Sequence, residues 1–300
     1  MSKYLITGGA GFIGTNLAER LVREGNEVLV ADNLSAGDYR DRLPKQVKFH
    51  KTDIRNTEEL ASILTDVEVV VHLAALPRVQ FSIENPVDTH DVNVNGTLSV
   101  LEACKKAGVR RVVYAASSSA YGDQECLPLS LDLRPQPKSP YALQKYFGEE
   151  MLKLYSEIYQ LQTVSLRFFN VYGPHLDPDG NYALVIGKFI KQASDGKGLT
   201  ITGDGEQTRD FTHVSDVVEA ISLASTKATV GKGEVLNVGA GKQTTMNKLA
   251  SLISDKVEYI EARLEPKHTM ADISVTKDLL GWEPKIQVDE GVRELVKHLS

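Results

Sequence analysis

Tyr141 and Lys145 stand four residues apart in the stretch KSPYALQK. A phenol and an ammonium at that spacing can move a proton if a helix places them side by side. Ser139 suits the N-cap and Pro140 the first helical position, so the spacing predicts Tyr141 in the first turn with Lys145 on the same face. A tyrosine ordinarily titrates near about 10. A neighbouring cation and the positive end of a helix both favour the phenolate, which predicts a base usable near neutral pH. A surface helix carries the same short pattern by chance, so the surroundings must decide. Upstream, VVYAASSSAYG ends an apolar run in serines. A hydroxyl there could hold the oxygen whose proton the phenol removes.

A second constellation lies at the start. YLITGGAGFIG (4–14) contains Gly9, Gly11 and Gly14 as GxGxxG, with Gly8 adding an overlapping glycine spacing. The loop follows an apolar run and opens a helical pattern through Phe12 and Ile13. Glycines in that setting let the backbone approach a pyrophosphate, and the free N–H groups of the helix start face it. The next apolar run ends in VADNLS. Asp32 is thus placed to accept from a ribose hydroxyl, which favours NAD over NADP.

These groups need a scaffold. Short Val/Ile/Leu-rich runs at 4–7, 27–31, 47–50, 67–75, 110–117 and 163–169 read as strands buried on both faces. Helical patterns lie between them at 12–24, 56–65, 86–107 and 140–159. Alternation of this kind predicts an α/β protein with a doubly wound parallel Rossmann sheet, whose ligands bind beyond the carboxyl ends of the strands. After 170 the pattern loosens through a Gly/Pro/Asp loop. Helices are expected at 182–195, 214–226, 244–254 and 288–298, with strands at 199–202, 235–238 and 257–260. Residues 1–170 are expected to bind the dinucleotide, with about 211–238 returning to that part, and 171–300 mainly to form a smaller α/β substrate-binding domain.

The 300 residues are 42% hydrophobic and 25% charged, with a formal net charge of −6. That is a globular composition, and its acidity argues against nucleic acid as a partner. Cys104 and Cys126 form no CxxC pair and adjoin no histidine cluster, so no metal is expected and a reduced, cytoplasmic setting is. No apolar run approaches the roughly 18 residues of a membrane helix, and the start lacks a signal-peptide layout.

Taken in order, TGGAGFIG, Asp53-Ile54, HLAA (72–75), SSSAYG (117–122), YALQK, LRFFNVYGP (166–174) and RDFTHVSD (209–216) resemble the extended short-chain dehydrogenase/reductases that act on nucleotide sugars. Within them the chain is most similar to the NAD-dependent UDP-hexose 4-epimerases, particularly the branch accepting UDP-N-acetylhexosamines. The resemblance implies Tyr141 as the catalytic tyrosine and Lys145 as the lysine that holds the nicotinamide ribose. It implies Ser117 as the catalytic serine, with Ser118 beside it as the alternative. It places Gly8, Gly11, Phe12, Ile13, Gly14, Asp32, Asn33 and Ser35 around the cofactor. Asp53 and Ile54 fall at the adenine, Leu73, Ala74 and Ala75 in the loop under the cofactor, and Asn93 and Phe168 at lining positions. Asn170 and Arg209 match diphosphate ligands, and Arg263 matches a second diphosphate arginine. There ARLEPKHTMAD lacks the glycine that usually follows two residues after the arginine. Thr269 matches the position that controls room for an N-acetyl group, where members restricted to plain hexoses carry a bulky tyrosine.

Related dehydratases and decarboxylases place an acid after the Ser/Thr, whereas Ser118 and Ser119 follow here. The implied reaction is therefore reversible C4 epimerisation of UDP-Glc/UDP-Gal and UDP-GlcNAc/UDP-GalNAc, through a transient 4-keto sugar and bound NADH. Alternatives are epimerisation of another UDP sugar such as UDP-glucuronate, 4-ketoreduction, or a non-catalytic dinucleotide sensor, which would have little use for Ser117, Tyr141 and Lys145 together. Family members commonly dimerise through helices corresponding to 86–107 and 140–159, which implies a homodimer.

Overall fold

The structure, a computed structural model, describes residues 1–177, 184–261 and 267–299. Seven parallel strands form the main sheet: β1 (Lys3–Thr7), β2 (Glu27–Asp32), β3 (Lys48–Lys51), β4 (Val69–His72), β5 (Arg111–Ser117), β6 (Gln162–Phe168) and β7 (Lys232–Val238). From one edge to the other they run β7, β6, β5, β4, β1, β2, β3. The order reverses at β1, which pairs with β2 on one side and β4 on the other. A crevice opens beyond the carboxyl ends at such a reversal, and the glycine loop follows β1 directly.

Both faces of the sheet are covered over its middle, which is why β1, β2, β4 and β5 are mostly apolar and buried. The edge strand β3, KFHK, has no buried residue, against the expectation that 47–50 is buried on both faces. On one face Leu17, Ala18 and Leu21 of the helix Phe12–Arg23 pack with Val217 and Ile221 of the helix Val214–Thr226. On the other, Leu60, Val100, Leu101, Cys104 and Leu152 share a core with Leu5, Val70 and Val112. A separate cluster of Ile186, Phe189, Leu199, Ile201, Leu249 and Val292 holds the smaller layer, where Leu199–Thr202 and Val257–Ile260 pair in parallel.

Three further expectations change. The run 67–75 is strand only as far as His72, because 73–75 turns to cross the glycine loop. A Cβ on Gly8, whose φ is +67°, would lie 2.8 Å from the Ala74 Cα. The helix expected over 86–107 consists of Pro86–His90, a π-helical turn at Asp91–Asn95 and Gly96–Ala107. A further helix, Val79–Glu84, precedes it and ends where Asn85 leaves helical backbone before Pro86. The helix expected at 244–254 is shorter, Met246–Ser251, and Ser274–Leu280 is an additional one.

Candidate active site

Ser139 caps the helix Pro140–Tyr159, its hydroxyl accepting from the Ala142 amide at 3.1 Å. The Tyr141 amide donates to Ser82 Oγ at 3.0 Å, so the helix Val79–Glu84 pins the first turn from outside. Lys145 is buried. Its Nζ donates to the Ala115 carbonyl of β5 at 2.8 Å and lies 4.7 Å from the centre of the Tyr114 ring. Ser117 ends β5, and its hydroxyl neighbours the Tyr141 phenol. Ser117 Oγ also accepts from the Ser119 amide (3.2 Å) and the Ser119 hydroxyl (2.8 Å). With two donors pointing in, its own proton is the group left to offer.

The electrostatics correct one expectation. Burial pushes Tyr141 up to about 12, against the opposing pull of Ser117, rather than down toward neutrality. Burial likewise pushes Lys145 down to about 7, against the field of Glu149. The phenol sits where a phenolate is poorly solvated, and that cost outweighs the pull of Ser117.

The groups expected around a dinucleotide lie along the same sheet edge. Gly11 is the N-cap of Phe12–Arg23 and offers no capping side chain, so the amides of Phe12, Ile13 and Gly14 have no intrahelical partner. Phe12 and Ile13 turn their side chains to the core. Asp32 accepts from the amides of Ala10 (3.1 Å) and Leu34 (2.8 Å), which fixes its carboxylate between the glycine loop and the chain after β2. Burial raises its pKa against those two bonds. Asn33 Nδ2 donates to Asp53 and Asn33 Oδ1 accepts from the Ser35 amide. Asp53 accepts from Arg55 Nε and Nη2, one edge of the guanidinium, which holds its carboxyl down at about 2, and Arg55 Nη1 reaches on to Asp91. Ile54 is buried below Gly96.

Asn93 has a different environment from a lining residue. Its Oδ1 accepts from the Leu76 amide and its Nδ2 donates to the Leu76 carbonyl and to Gln144 Oε1. It is 2% exposed, so it holds the 73–76 loop in place from beneath. His72, which the sequence reading passed over, does the same from the strand. Thr97 Oγ1 donates to the Asn93 carbonyl, so His72 Nε2 must be the donor to Thr97 and Nδ1 the acceptor from Thr7. Burial pushes this imidazole down to about 3, which keeps it neutral. The signal was a histidine inside VVVH, in register with Thr7 on β1.

β5, β6 and β7 end together, with Ser117 opposite Phe168 and Phe168 opposite Val238. Just beyond, Asn170 Nδ2 donates to the Asp210 carbonyl at 2.9 Å. Arg209 donates to the Thr208 carbonyl at 2.9 Å. Thr269 bonds both neighbours, its amide to the Thr208 carbonyl and its hydroxyl to the Asp210 amide. Asn170, Arg209 and Thr269 are therefore brought together. Asp210 is the organiser that sequence reasoning missed. Wholly buried, its carboxylate accepts from the amides of Ala240, Gly241 and Ala271, and burial pushes it up to about 6. Arg263 lies outside the described residues. Among the described residues no group of three or more His, Cys, Asp or Glu is arranged to hold a metal, and no helix is long and apolar enough to cross a membrane.

The sequence pattern of the NAD dependent epimerase/dehydratase family matches residues 4–239, from β1 to just past β7. The chain belongs to that family. Three relatives of comparable likeness differ in their sugars. A UDP-glucuronate 4-epimerase of Thermodesulfobacterium geofontis is 37% identical over 318 residues, covering 99% of this chain and 95% of that one. A structure of UDP-glucose 4-epimerase from Thermotoga maritima with UDP-glucose superposes with a TM-score of 0.94 at 35% identity, covering 99% and 98%. A UDP-N-acetylglucosamine 4-epimerase of Methanobrevibacter ruminantium, in complex with UDP-N-acetylmuramic acid, gives 0.93 at 36%, covering 99% and 97%.

Membership in this epimerase/dehydratase family makes the cofactor NAD, and the residues present fit it. The free amides of the first helical turn suit a pyrophosphate. The close crossing of Ala74 over Gly8 leaves no room for a side chain there. Asp32 keeps acceptor capacity beyond its two backbone bonds.

Proposed function

We propose that this chain is a UDP-sugar 4-epimerase acting on UDP-GlcNAc/UDP-GalNAc as well as UDP-Glc/UDP-Gal. The observation that carries the reading is the convergence of Ser117, Tyr141 and Lys145 at the sheet edge, with Ser118 and Ser119 where a dehydratase would need an acid. Bound NAD supplies a reversible hydride acceptor for C4. Tyr141 takes the proton of the 4-hydroxyl as that carbon is oxidised, and returns it when the carbon is reduced from the other face. Ser117 donates its free proton to the same oxygen throughout, stabilising charge as it develops. Lys145, held by Ala115, keeps two further protons for ribose hydroxyls. No net oxidation results, so no external redox partner is consumed. In this reading residues 1–170, with 211–238, carry the cofactor, and 171–300 mainly hold the UDP-sugar. Asn170, Arg209 and Arg263 serve its diphosphate; the guanidinium fork suits phosphate oxygens.

The acetylated substrates rest on Thr269, a small side chain tied back by the Asp210 amide. The test is incubation with each UDP-sugar, without added cofactor, followed by NMR. Conversion of both UDP-GlcNAc and UDP-glucose is expected, and Thr269→Tyr should remove only the acetylated pair. Equal loss on both classes would discard the gate. A second reading, UDP-glucuronate, is favoured by the similarity to the T. geofontis enzyme. Turnover of that sugar alone would establish it instead.

A homodimer is part of the proposal. On the helix Pro140–Tyr159, Leu143, Phe147, Leu154 and Ile158 form one stripe, each about half exposed, and Leu98 and Val87 are exposed nearby. Contiguous apolar surface of this kind on a helix face is a recognition surface. Light scattering should give twice the 33.0 kDa chain mass. Phe147→Glu with Leu154→Glu should halve it, and a monomeric wild type would refute the dimer.

A further inference from the structure

The chain after Asp32 does not return directly to its sheet. It turns through Leu34 (φ +62°) and Gly37 (φ +137°), and Tyr39 folds back over Gly37. A Cβ at Gly37 would fall 2.6 Å from the Tyr39 ring, so only glycine permits the fold. The Tyr39 hydroxyl then hydrogen-bonds the Asp177 carboxylate, far along the sequence in the segment after β6. The Arg42 guanidinium stacks on the same ring at 4.2 Å and donates to the His175 carbonyl at 3.1 Å. His175 is itself left-handed, with φ +66°.

The segment is tied equally to the pyrophosphate-facing helix. Asn16 Nδ2 donates to the Pro174 carbonyl at 2.9 Å, and to the Phe12 carbonyl of its own first turn. His175 Nε2 meets Glu19 Oε1 at 2.9 Å. Residues 173–177 thus bridge the first two turns of Phe12–Arg23 and the loop that starts at Asp32 and Asn33. These are the two walls assigned to the pyrophosphate and the ribose. Two non-glycine residues on this path, Leu34 and His175, are held at positive φ, and such conformations persist only where the surroundings over-determine them.

We infer that Asn16, Glu19, Tyr39 and Arg42, with residues 173–177, form a strap that retains NAD between turnovers. An epimerase must return the electrons to the same sugar, so a cofactor that leaves mid-cycle ends catalysis. The strap joins the two walls on which escape depends, and the hydrogen bonds named above run among its own segments rather than to Ser117, Tyr141 or Lys145. The inference rests on the assignment of NAD to the glycine-loop site and not on the choice of sugar.

The test is the rate at which NAD leaves. NAD-loaded wild type, Tyr39→Phe with Arg42→Ala, and the milder Asp177→Asn are passed into cofactor-free buffer, and released dinucleotide is quantified over time. The double variant should release NAD about tenfold faster or more, since it loses hydrogen bonds to charged groups, and Asp177→Asn by a smaller factor. The melting midpoint of stripped protein should change far less than the release rate. Unchanged release in a folded Asp177→Asn and double variant would overturn the strap. So would faster release that merely tracks a general loss of stability. Because the readout is cofactor release, a wild type that retains NAD yet turns over no sugar would overturn the proposed activity and leave the strap standing.

Discussion

Tyr141→Phe is expected to lower the rate of C4 interconversion by about 10²- to 10⁴-fold, the range that a positioned acid–base group contributes. NAD should remain bound and the melting midpoint near wild type, because the phenol's contacts are with Ser117 and the substrate side rather than with the core. Near-normal turnover would remove Tyr141 from the mechanism. The variant also provides a spectroscopic blank. Subtracting its near-ultraviolet pH titration from that of wild type isolates one phenol. In NAD-stripped protein that phenol should ionise near 12, because burial disfavours the phenolate. The sign matters: an acid whose folded pKa lies above its unfolded one is stabilising below the unfolded value, near 10. That contribution fades as pH rises through the window from 10 to about 12. Stripped protein is thus in the proton-donating form at neutral pH. A cationic ring near the phenol should move the titration downward, so loading NAD should lower the midpoint. An ordinary midpoint near 10 in the stripped protein would show that burial has been misjudged.

Glu149→Gln is expected to destabilise the protein by about 3–5 kcal/mol, the cost of leaving a buried partner charge unpaired. Arg167 Nε and Nη2 meet the two Glu149 carboxylate oxygens at 2.9 and 2.7 Å, with the Arg167 and Glu149 side chains 5% and 1% exposed. The guanidinium lies 4.5 Å over the Tyr121 ring, and the Tyr121 hydroxyl donates to Asn237 on β7. One pair therefore joins the helix carrying Tyr141 to β6 and, through Tyr121, to the outer strand. Urea unfolding measures the loss. Replacing both members, as Glu149→Leu with Arg167→Met, should recover much of it, because no lone charge remains. A single variant as stable as wild type would refute the argument. Glu149 also raises the proton affinity of Lys145 four residues earlier, so its removal should leave that amine a still weaker base.

How much of this could be read from residue order varies from element to element. Strands buried on both faces announce themselves by runs of Val, Ile and Leu, and all six expected in the first two-thirds are present, although β3 is an edge strand with no buried residue. The glycine loop and the capped YALQK turn are local devices whose geometry follows from a few neighbouring residues. What could not be read comes from contacts between distant segments. The run 67–75 stops at His72 because a different loop crosses beneath 73–75, and nothing local says so. Asn93 looks like a lining residue by position, yet its amide is fully engaged by Leu76 and Gln144. Asp210 sits in a motif noticed as a whole, but its grip on Ala240, Gly241 and Ala271 needs three remote amides. The direction of the Tyr141 shift was misjudged for the same reason. Spacing reports which charges are near, whereas burial depends on everything packed around them.

The position of β7 has a consequence for the chain as it leaves the ribosome. β6 pairs with β5 as soon as residue 168 is available, but its other side waits for Lys232–Val238. Until then the growing sheet ends in the strand Gln162–Phe168 with an unpaired row of backbone groups, which is the kind of edge that recruits neighbouring chains. The intervening segment includes Val214–Thr226, whose apolar face covers that end of the sheet from one side. Synthesis therefore delivers the cover before the closing strand. A nascent chain halted between the two would be shielded on its face and sticky along its border, and the last strand completes the sheet by occupying the place that a second molecule could otherwise take.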